Sequence, residues 1–533
     1  MALLLIRTQN WQSTVAEGGK FMGTLWLVIQ REFVSNVLTS RFMIGFIVCV
    51  LSTAVAVFVQ VDDHEKRLVG YNTAVRESQA EPKNWKLYTD ISAKVHRKPN
   101  PLGIFNIGME TSGVNMVVVE PDKPIWTRDS RSPGWSETTQ KMGADNPFLA
   151  MFLSVDVVFI FKIVLSALAI LFAYNAISGE REDGTLKLVL SNAIPRDTVV
   201  LGKYLGGMLS LFPIVLVSLI VALLIAVSSP VTGFDGNDIT HIVLIFAVSL
   251  LYVSTWYLLG LLLSVWTKET STTLILSMFL WVILTSVHAN VATFAVTKFS
   301  PHKPDSEEKV FQQTIQLWND FRKERDDYLK KRGYDSPTKT VSWHRDPSGR
   351  KGGSSGTYST SAQWFLIEGY NIGNIKYADV SVLQEFLSYQ EPLRIAYTDR
   401  AEEILRKPAD DRERNARFAD LLSRISFADV YHFAVGAIAG TDSENYSAFL
   451  ESSRAYKRKV VEYLKDKKAF SSLAWFSDDQ GAANLADLPV YRQQRLSLSE
   501  SFSRASVDIL ILLAWNIVLF MLAYMSFLRY EMS

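Results

Sequence analysis

Six long apolar blocks alternate with charged stretches along this chain of 533 residues. A helix needs about 20 apolar residues to cross the hydrocarbon core of a bilayer, and each block reaches that length. The pattern therefore predicts a multi-pass α-helical membrane protein with six transmembrane helices. The predicted spans are residues 42–61, 157–177, 204–227, 239–266, 272–296 and 509–528.

Residues 25–40, just before the first span, have polar and apolar positions on opposite faces of a helix. Arg31 and Glu32 fall on one face, and Trp26 and Phe33 fall on the other. This pattern predicts a helix that lies in the membrane interface. The alternative interpretation is an ordinary surface helix of a soluble domain.

Basic residues in the short loops predict the orientation of the spans. The loop at 178–203 carries four Lys or Arg residues, and the loop at 267–271 carries Lys268. The loop at 229–238 contains Asp but no Lys or Arg. Because basic residues concentrate in cytoplasmic loops, the first two loops should face the cytoplasm and the third should face outward. Both chain termini are then cytoplasmic, which agrees with an even number of spans.

Two charged stretches must then lie on the outer side, because a charge at the bilayer centre costs roughly 2.5–3.5 kcal/mol. The first is expected to be a small mixed α/β domain, since residues 115–120 contain a short buried-strand signal, Met-Val-Val-Val. The second is expected to be larger and mainly helical, with apolar positions in 306–331 spaced as one buried helical face.

These expectations divide the chain into six segments. Residues 1–24 lack a clear pattern and are expected to be a disordered extension or the product of an over-long gene start. The remaining segments are the interfacial helix and first span at 25–61, a first outer domain at 62–156, spans two to five at 157–298 with a cytoplasmic loop at 178–203, a second outer domain at 299–508, and the sixth span with a cytoplasmic end at 509–533.

The overall composition argues against several kinds of site and partner. Lys and Arg number 55 and Asp and Glu number 54, so no charge excess favours nucleic acid. The single cysteine, Cys49, falls in the first span, so the chain cannot form an internal disulfide or a cysteine-based zinc site. The seven histidines are scattered without metal-ligand spacing, and no metal site is expected.

The loop at 178–203 carries the most informative motif in the sequence. The second span ends in a charged cluster, and a short amphipathic helix follows Gly184 and Thr185. Pro195 can open the next helix, because proline at a first helical position loses no hydrogen bond. A helix from Pro195 to Ser228 would measure about 50 Å and exceed the bilayer.

This loop resembles the signature of the ABC-2 family of transporter permeases, in which Glu-Arg-Glu-x-Gly-Thr-Leu precedes Leu-Ser and Pro-Arg between the second and third spans. The matching residues are Glu180, Arg181, Glu182, Gly184, Thr185, Leu186, Leu190, Ser191, Pro195 and Arg196. In that family the loop carries a coupling helix that docks on a separate ATPase subunit. The helix at 25–40 is likewise similar to the family's N-terminal elbow helix.

The outer stretches resemble a narrower branch of the family, which includes permeases of nitrous-oxide reductase maturation and gliding motility. The similar segments are residues 97–102, residues 107–110 and the Ala-Gly-Thr sequence at 439–441. The resemblance implies a bacterial cytoplasmic (inner) membrane location. It also implies the following partners: ABC ATPase subunits, a second permease copy or paralogue, membrane lipids, and a periplasmic protein.

The sequence predicts a non-catalytic membrane subunit. Gly179 and Gly184 have the spacing of a phosphate-binding loop, but Thr185 and Leu186 follow where Lys and Ser or Thr are required. No cofactor is therefore expected in this chain, and ATP and Mg²⁺ should be bound by the partner ATPase.

Four polar residues inside the predicted spans are candidates for a transmembrane polar path: Lys162, His288, Asn290 and Asn516. Ionisable groups within a membrane are functional candidates by default. The alternative is structural. Lys162 can extend its charged end to the outer surface, and His288 and Asn290 can hydrogen-bond a neighbouring helix.

The function predicted from these features is that of a permease subunit, which couples ATP hydrolysis by a partner to export of a substrate. One alternative is a subunit that transmits force to a periplasmic partner without a substrate path. The other is a membrane-anchored receptor or enzyme with its site in residues 299–504.

Overall fold

The computed structural model describes residues 23–111, 115–127, 155–191, 195–230, 232–299, 305–332, 380–475, 481–493 and 495–529. The expected N-terminal extension at 1–24 therefore lies almost wholly outside the described residues.

Within these ranges, six helices are long and apolar enough to cross a membrane. Each coincides with one predicted span, which confirms the multi-pass helical prediction. The six helices are α2 at Ser40–Ala80, α3 at 157–173, α6 at Arg196–Ser228, α7 at Gly236–Trp266, α8 at 270–299 and α13 at Leu498–Leu528. Helix α3 contains a π-helical segment at Phe161–Leu165, and helix α8 contains one at Ile283–Val287.

Polar caps fix where several of these helices begin. The Thr39 side chain accepts from the N–H of Phe42 at the start of α2. Asp235 and Asp238 form a reciprocal capping box at the start of α7, and Ser497 with Glu500 forms another at the start of α13. Such caps satisfy N–H groups that have no partner within the helix.

Helix α2 continues well past the predicted end of the first span at residue 61. Its outer part is held helical by ion pairs four residues apart, Lys66 with Asp62 at 2.6 Å and Arg67 with Asp63 at 2.7 Å. The segment expected as the first outer domain, 62–156, therefore begins inside a helix. The hydropathy pattern alone could mark only where the apolar block stops.

A short antiparallel sheet lies outside the bundle, with strand order β1-β2-β3. The strands are β1 at Ala93–His96, β2 at Met116–Val119 and β3 at Trp126–Thr127. Strand β2 falls within the predicted strand signal at 115–120. Its buried residues Val117 and Val119 share a core with Phe449 and Leu464 of α12, Ser443–Asp466. This sheet and α12 together are called the outer unit below.

Two long helices, α9 at Glu307–Lys331 and α10 at Val380–Ser423, pair beside the outer unit. Trp318 and Phe321 of α9 pack against Tyr397 and Ala401 of α10. Two short helices, α4 at Ser178–Glu182 and α5 at Thr185–Ser191, lie in the loop between α3 and α6, and a further helix, α1, covers residues 23–37.

Helix α11, Phe427–Ala439, departs most from the sequence analysis, which assigned all of 299–508 to an outer domain. Its buried side chains belong to the same apolar core as α3, α6, α7 and α13. An apolar helix of 13 residues is too short to span a bilayer but suits a re-entrant segment buried in protein. Residues 427–439 therefore lie inside the bundle of membrane-spanning helices.

Candidate functional site

The loop at 178–203, called the motif loop below, contains the short helices α4 and α5, which are joined by a turn at Gly184. Gly184 adopts a left-handed conformation with φ +73°, which a residue with a Cβ atom rarely accepts. At the preceding bend, the Ser264 hydroxyl of α7 accepts from the N–H groups of Ile177 and Ser178 at 3.0 and 2.9 Å. The end of α3 is therefore bound directly to α7.

Arg181 and Glu182 bind the turn between α7 and α8. The Arg181 guanidinium donates to the carbonyl oxygens of Thr267 and Val265, at 2.5 and 3.1 Å. These carbonyls terminate α7, where a cation is favourable. The Glu182 carboxylate accepts from the N–H and hydroxyl of Thr270 at the start of α8, at 3.2 and 2.7 Å. Two adjacent motif residues thus hold the ends of two spans.

Glu180 faces the opposite direction and meets a buried lysine. The ammonium group of Lys203, on α6, lies 3.0 Å from Oε1 of Glu180 and 2.6 Å from Oε1 of Glu32 on α1. The Lys203 side chain is only 4% exposed, so water screens these ion pairs little. The motif loop, α1 and α6 therefore meet at one cation.

Two glycines bring α1 and α6 close enough for this contact. A Cβ atom on Gly202 would lie 2.5 Å from Val28, and one on Gly206 would lie 2.6 Å from the Glu32 side chain and 3.0 Å from a backbone oxygen. Glycines four residues apart allow such close backbone approach between helices. On the next position, Gly207 accommodates Tyr257, whose hydroxyl donates to the Lys203 carbonyl at 3.0 Å.

The other motif residues divide into buried and exposed groups. Leu186 is buried, and the Thr185 hydroxyl donates to the Glu180 carbonyl at 3.3 Å. Pro195 is exposed and caps α6, and Arg196 donates to the Leu528 carbonyl at the end of α13 at 2.8 Å. The side chain of Leu190 and the neighbouring residues 192–194 lie outside the described residues.

The four candidate polar-path residues do not form one continuous group. Lys162 and His288 both approach Asp429 of α11. Asn290 is exposed and donates to the Ser286 carbonyl within its own helix at 3.2 Å. Asn516 is nearly buried between α13 and α7. Its side chain bonds Ser254, Thr255 and two backbone carbonyls.

Three residues of this site were not predicted from the sequence as site residues: Glu32, Lys203 and Asp429. Lys203 stands between the glycines at 202 and 206, a spacing that could have marked a helix contact. Asp429 is an acidic residue at the start of a short apolar stretch, which could have suggested a buried partner. Glu32 lies on the polar face of α1 and gave no separate signal.

The sequence as a whole was compared with known proteins. Residues 26–532 match the family model described as ABC-2 family transporter protein. No curated protein matches the chain. The match covers nearly the full length, including the motif loop and the six helices long enough to cross a membrane. The chain therefore belongs to the ABC-2 transporter family, as a multi-pass membrane protein.

Proposed function

We propose that this chain is the permease subunit of an ABC-2 type transporter in a bacterial cytoplasmic membrane, with both termini in the cytoplasm. Two ATPase subunits, which bind ATP and Mg²⁺, dock on the loop at 178–203. A second copy or a paralogue of this chain completes the membrane part. Closure of the ATPases on ATP moves the loop, the loop moves the spans, and a substrate is exported.

One observation carries this proposal: three consecutive motif residues bind three different helices, and the lysine bound by the first of them also binds a fourth. Glu180 bonds the lysine that joins α6 and α1, Arg181 bonds the end of α7, and Glu182 bonds the start of α8. A displacement of α4 would therefore either break these contacts or displace the helices that they join. Such direct contacts suit a loop that transmits motion from a separate motor.

The surface of α5 supports docking of a partner. Leu188 is 67% exposed, and Lys187 next to it is also exposed. The loop is too rich in charge to enter the bilayer, so an exposed leucine there is available to a protein partner. Leu188 would fill an apolar depression on the ATPase, and Lys187 would lie at the rim of the contact.

Force transmission to a periplasmic partner is a second candidate function, and α11 favours it. Its first residue, Phe427, packs between two spans, and Thr441, just after its last residue, bonds Asn106 in the loop that joins β1 to β2 of the outer unit. Movement of the spans would then reach the outer unit through packed structure. In that function the substrate path is dispensable, whereas the ATPase is still required.

Purification of a tagged chain in mild detergent tests the proposed function. A nucleotide hydrolase should accompany the wild-type chain and should be lost from Leu188→Glu. Val490→Glu is the matched control, because Val490 is an 80% exposed apolar residue beside the outer unit. The proposal fails if no hydrolase accompanies the chain, or if both variants retain it equally.

Cysteine labelling tests the orientation independently. In a Cys49→Ala background, Lys187→Cys should react with a membrane-impermeant maleimide only in inverted vesicles. Asp62→Cys, on the outer part of α2, should react only in intact spheroplasts. Reaction of Lys187→Cys from the outside would contradict a cytoplasmic motif loop.

A further inference from the structure

Aromatic side chains pack helix α11 against its neighbours α7 and α13. The Tyr431 ring stacks on Tyr252 with centroids 4.3 Å apart, and its hydroxyl shares a 2.8 Å hydrogen bond with Ser249. Phe427 lies between Trp256 of α7 and Trp515 of α13, at 5.3 and 5.1 Å. These partners lie in the middle of both spans, so the tip of α11 reaches deep into the bundle.

The two π-helical segments of the chain's described spans both contact α11. A π-helical turn changes the i to i+4 bonding of a helix, and such turns are frequent at functional sites. Side chains bind the carbonyls of both segments. Tyr252 donates to the Lys162 carbonyl in the first segment at 2.8 Å. Ser426, which caps α11, donates to the Leu284 carbonyl in the second.

Asp429 pairs with a lysine of the first segment and contacts a histidine beside the second. Lys162, inside the first π-helical segment, lies 2.8 Å from Oδ1 of Asp429. His288, directly after the second, has Nδ1 3.4 Å from Oδ2, without hydrogen-bond geometry. The Asp429 side chain is 10% exposed. A buried ion pair gives little net stability over an apolar pair, but it specifies one arrangement of the helices that carry it.

The C-terminal end of α11 lies against the loop that follows β1. The Thr441 carbonyl accepts from the N–H of Met109 at 2.7 Å, and the Thr441 hydroxyl accepts from Asn106 at 2.9 Å. Gly108, with φ +43°, leaves no room for a Cβ atom, which would lie 2.2 Å from the same carbonyl. Asn100 donates to the Ala439 carbonyl at 2.6 Å. Both ends of the helix are therefore anchored, the first to the spans and the last to the loop between β1 and β2, whose residues 102, 104 and 105 also pack in the core of the bundle.

We propose that α11 is a strut, a rigid helix that carries movement of the spans to the outer unit. Asp429 is the positioning residue that holds the N-terminal end of this helix. A change in α3 or α8 at a π-helical segment moves Lys162 or His288, and Asp429 follows. The rigid helix then displaces Thr441 and the loop bound to it. The role of Asp429 is a property of the chain alone, whereas nucleotide-driven movement rests on the proposed function.

The holding role is tested on the full-length chain in lipid nanodiscs without nucleotide. In a Cys49→Ala background, Ala434→Cys places a reporter on a fully buried position of α11. Asp429→Asn should raise its labelling rate by a small methanethiosulfonate reagent at least about tenfold, since Lys162 is left unpaired. Asp62→Asn, which breaks an exposed ion pair on α2, is the matched control and should leave the rate unchanged.

Exchange of the charges of Lys162 and Asp429 distinguishes a positioning role of Asp429 from general damage to the fold. Lys162→Asp combined with Asp429→Lys should restore most of the protection of the reporter, whereas each single change should not. If Ala434→Cys fails to fold, Ala437→Cys provides a second buried reporter on the same helix. Unchanged labelling in Asp429→Asn, or no rescue by the exchange, would overturn the assignment of Asp429.

The strut role is tested with the ATPase complex, with ATP and vanadate as the trapping probe. Trapping should change the labelling rate of Ala434→Cys, and Asp429→Asn should abolish that change. Equal rates with and without trapping would overturn the strut. Absence of any ATPase would instead overturn the proposed function, and the nucleotide-free experiment would still decide whether Asp429 positions α11.

Discussion

The ammonium group of Lys203 lies 2.6 Å from the carboxylate of Glu32, although 171 positions separate the two residues in the sequence. Glu180 lies 3.0 Å from the same ammonium group, so Lys203 pairs with two carboxylates. The position of helix α1 is therefore tied to that of the motif loop. This contact leads to the first prediction.

Lys203→Met should lower the melting temperature of the purified protein strongly. Loss of one partner from a buried ion pair typically costs about 3–5 kcal/mol, because the remaining charges are unpaired. Lys268→Met, in the turn between α7 and α8, is the control and should melt like the wild type, because Lys268 is exposed. Adding Glu32→Gln to Lys203→Met should recover part of the loss. Equal melting temperatures for the two lysine variants would contradict the prediction.

Gly206→Ala should force α1 away from α6. Its Cβ atom would lie 2.6 Å from the Glu32 side chain and 3.0 Å from the Ile29 carbonyl oxygen, and backbone cannot move aside easily. Overpacking of this kind costs about 1–3 kcal/mol. Gly236→Ala, where no atom lies within 4 Å, should be neutral. The melting temperatures of both variants test this prediction. A Gly206→Ala variant that melts like the wild type would exclude the close approach of α1 to α6.

Asp156 should make stability depend on pH. Burial raises the pKa of its carboxyl group from 3.8 to about 6, against the hydrogen bonds from Phe159 and Ile107. Because the folded pKa lies above the unfolded one, the fold loses stability as pH rises from about 4 to about 6 and then levels off. Asp156→Asn cannot ionise. Its melting temperature relative to wild type should therefore rise across that interval, and a constant difference would refute the shift.

Substitutions at Tyr431 should separate the hydrogen bond from the packing of α11. Tyr431→Phe keeps the ring stacked on Tyr252 and loses only the bond to Ser249, at a cost of about 1 kcal/mol. Tyr431→Ala leaves a cavity and should cost about 3–5 kcal/mol. Comparable melting temperatures for the two variants would mean that α11 is not packed in the bundle.

The membrane spans could be predicted from the sequence because their signal is local. Twenty consecutive apolar residues mark a span whatever surrounds them. The outer part of α2 escaped because charged residues continue a helix as readily as apolar ones when they pair along it. Helix α11 escaped because 13 residues cannot cross a bilayer, and nothing local distinguishes a re-entrant helix from the core of a soluble domain.

The contacts of the motif loop could be predicted only in part. The resemblance marked Glu180, Arg181 and Glu182, but no local pattern says which helix each side chain reaches. Lys162 illustrates the same difficulty, since its sequence position allowed it to extend to the membrane surface. In the structure it binds Asp429, 267 residues away. Partners so distant are chosen by tertiary packing, which leaves no periodicity to detect.

The uninterrupted length of α2 has a mechanical consequence. About 19 of its 41 residues lie beyond the predicted span, which extends the helix by about 28 Å. Near its far end, Ser78 hydrogen-bonds His96 of β1 at 2.8 Å. A tilt of about 10° inside the membrane would sweep that tip through about 5 Å. Helix α2 therefore acts as a lever. A small tilt of its membrane-spanning part displaces its far end by a distance large enough to open or close a contact between proteins.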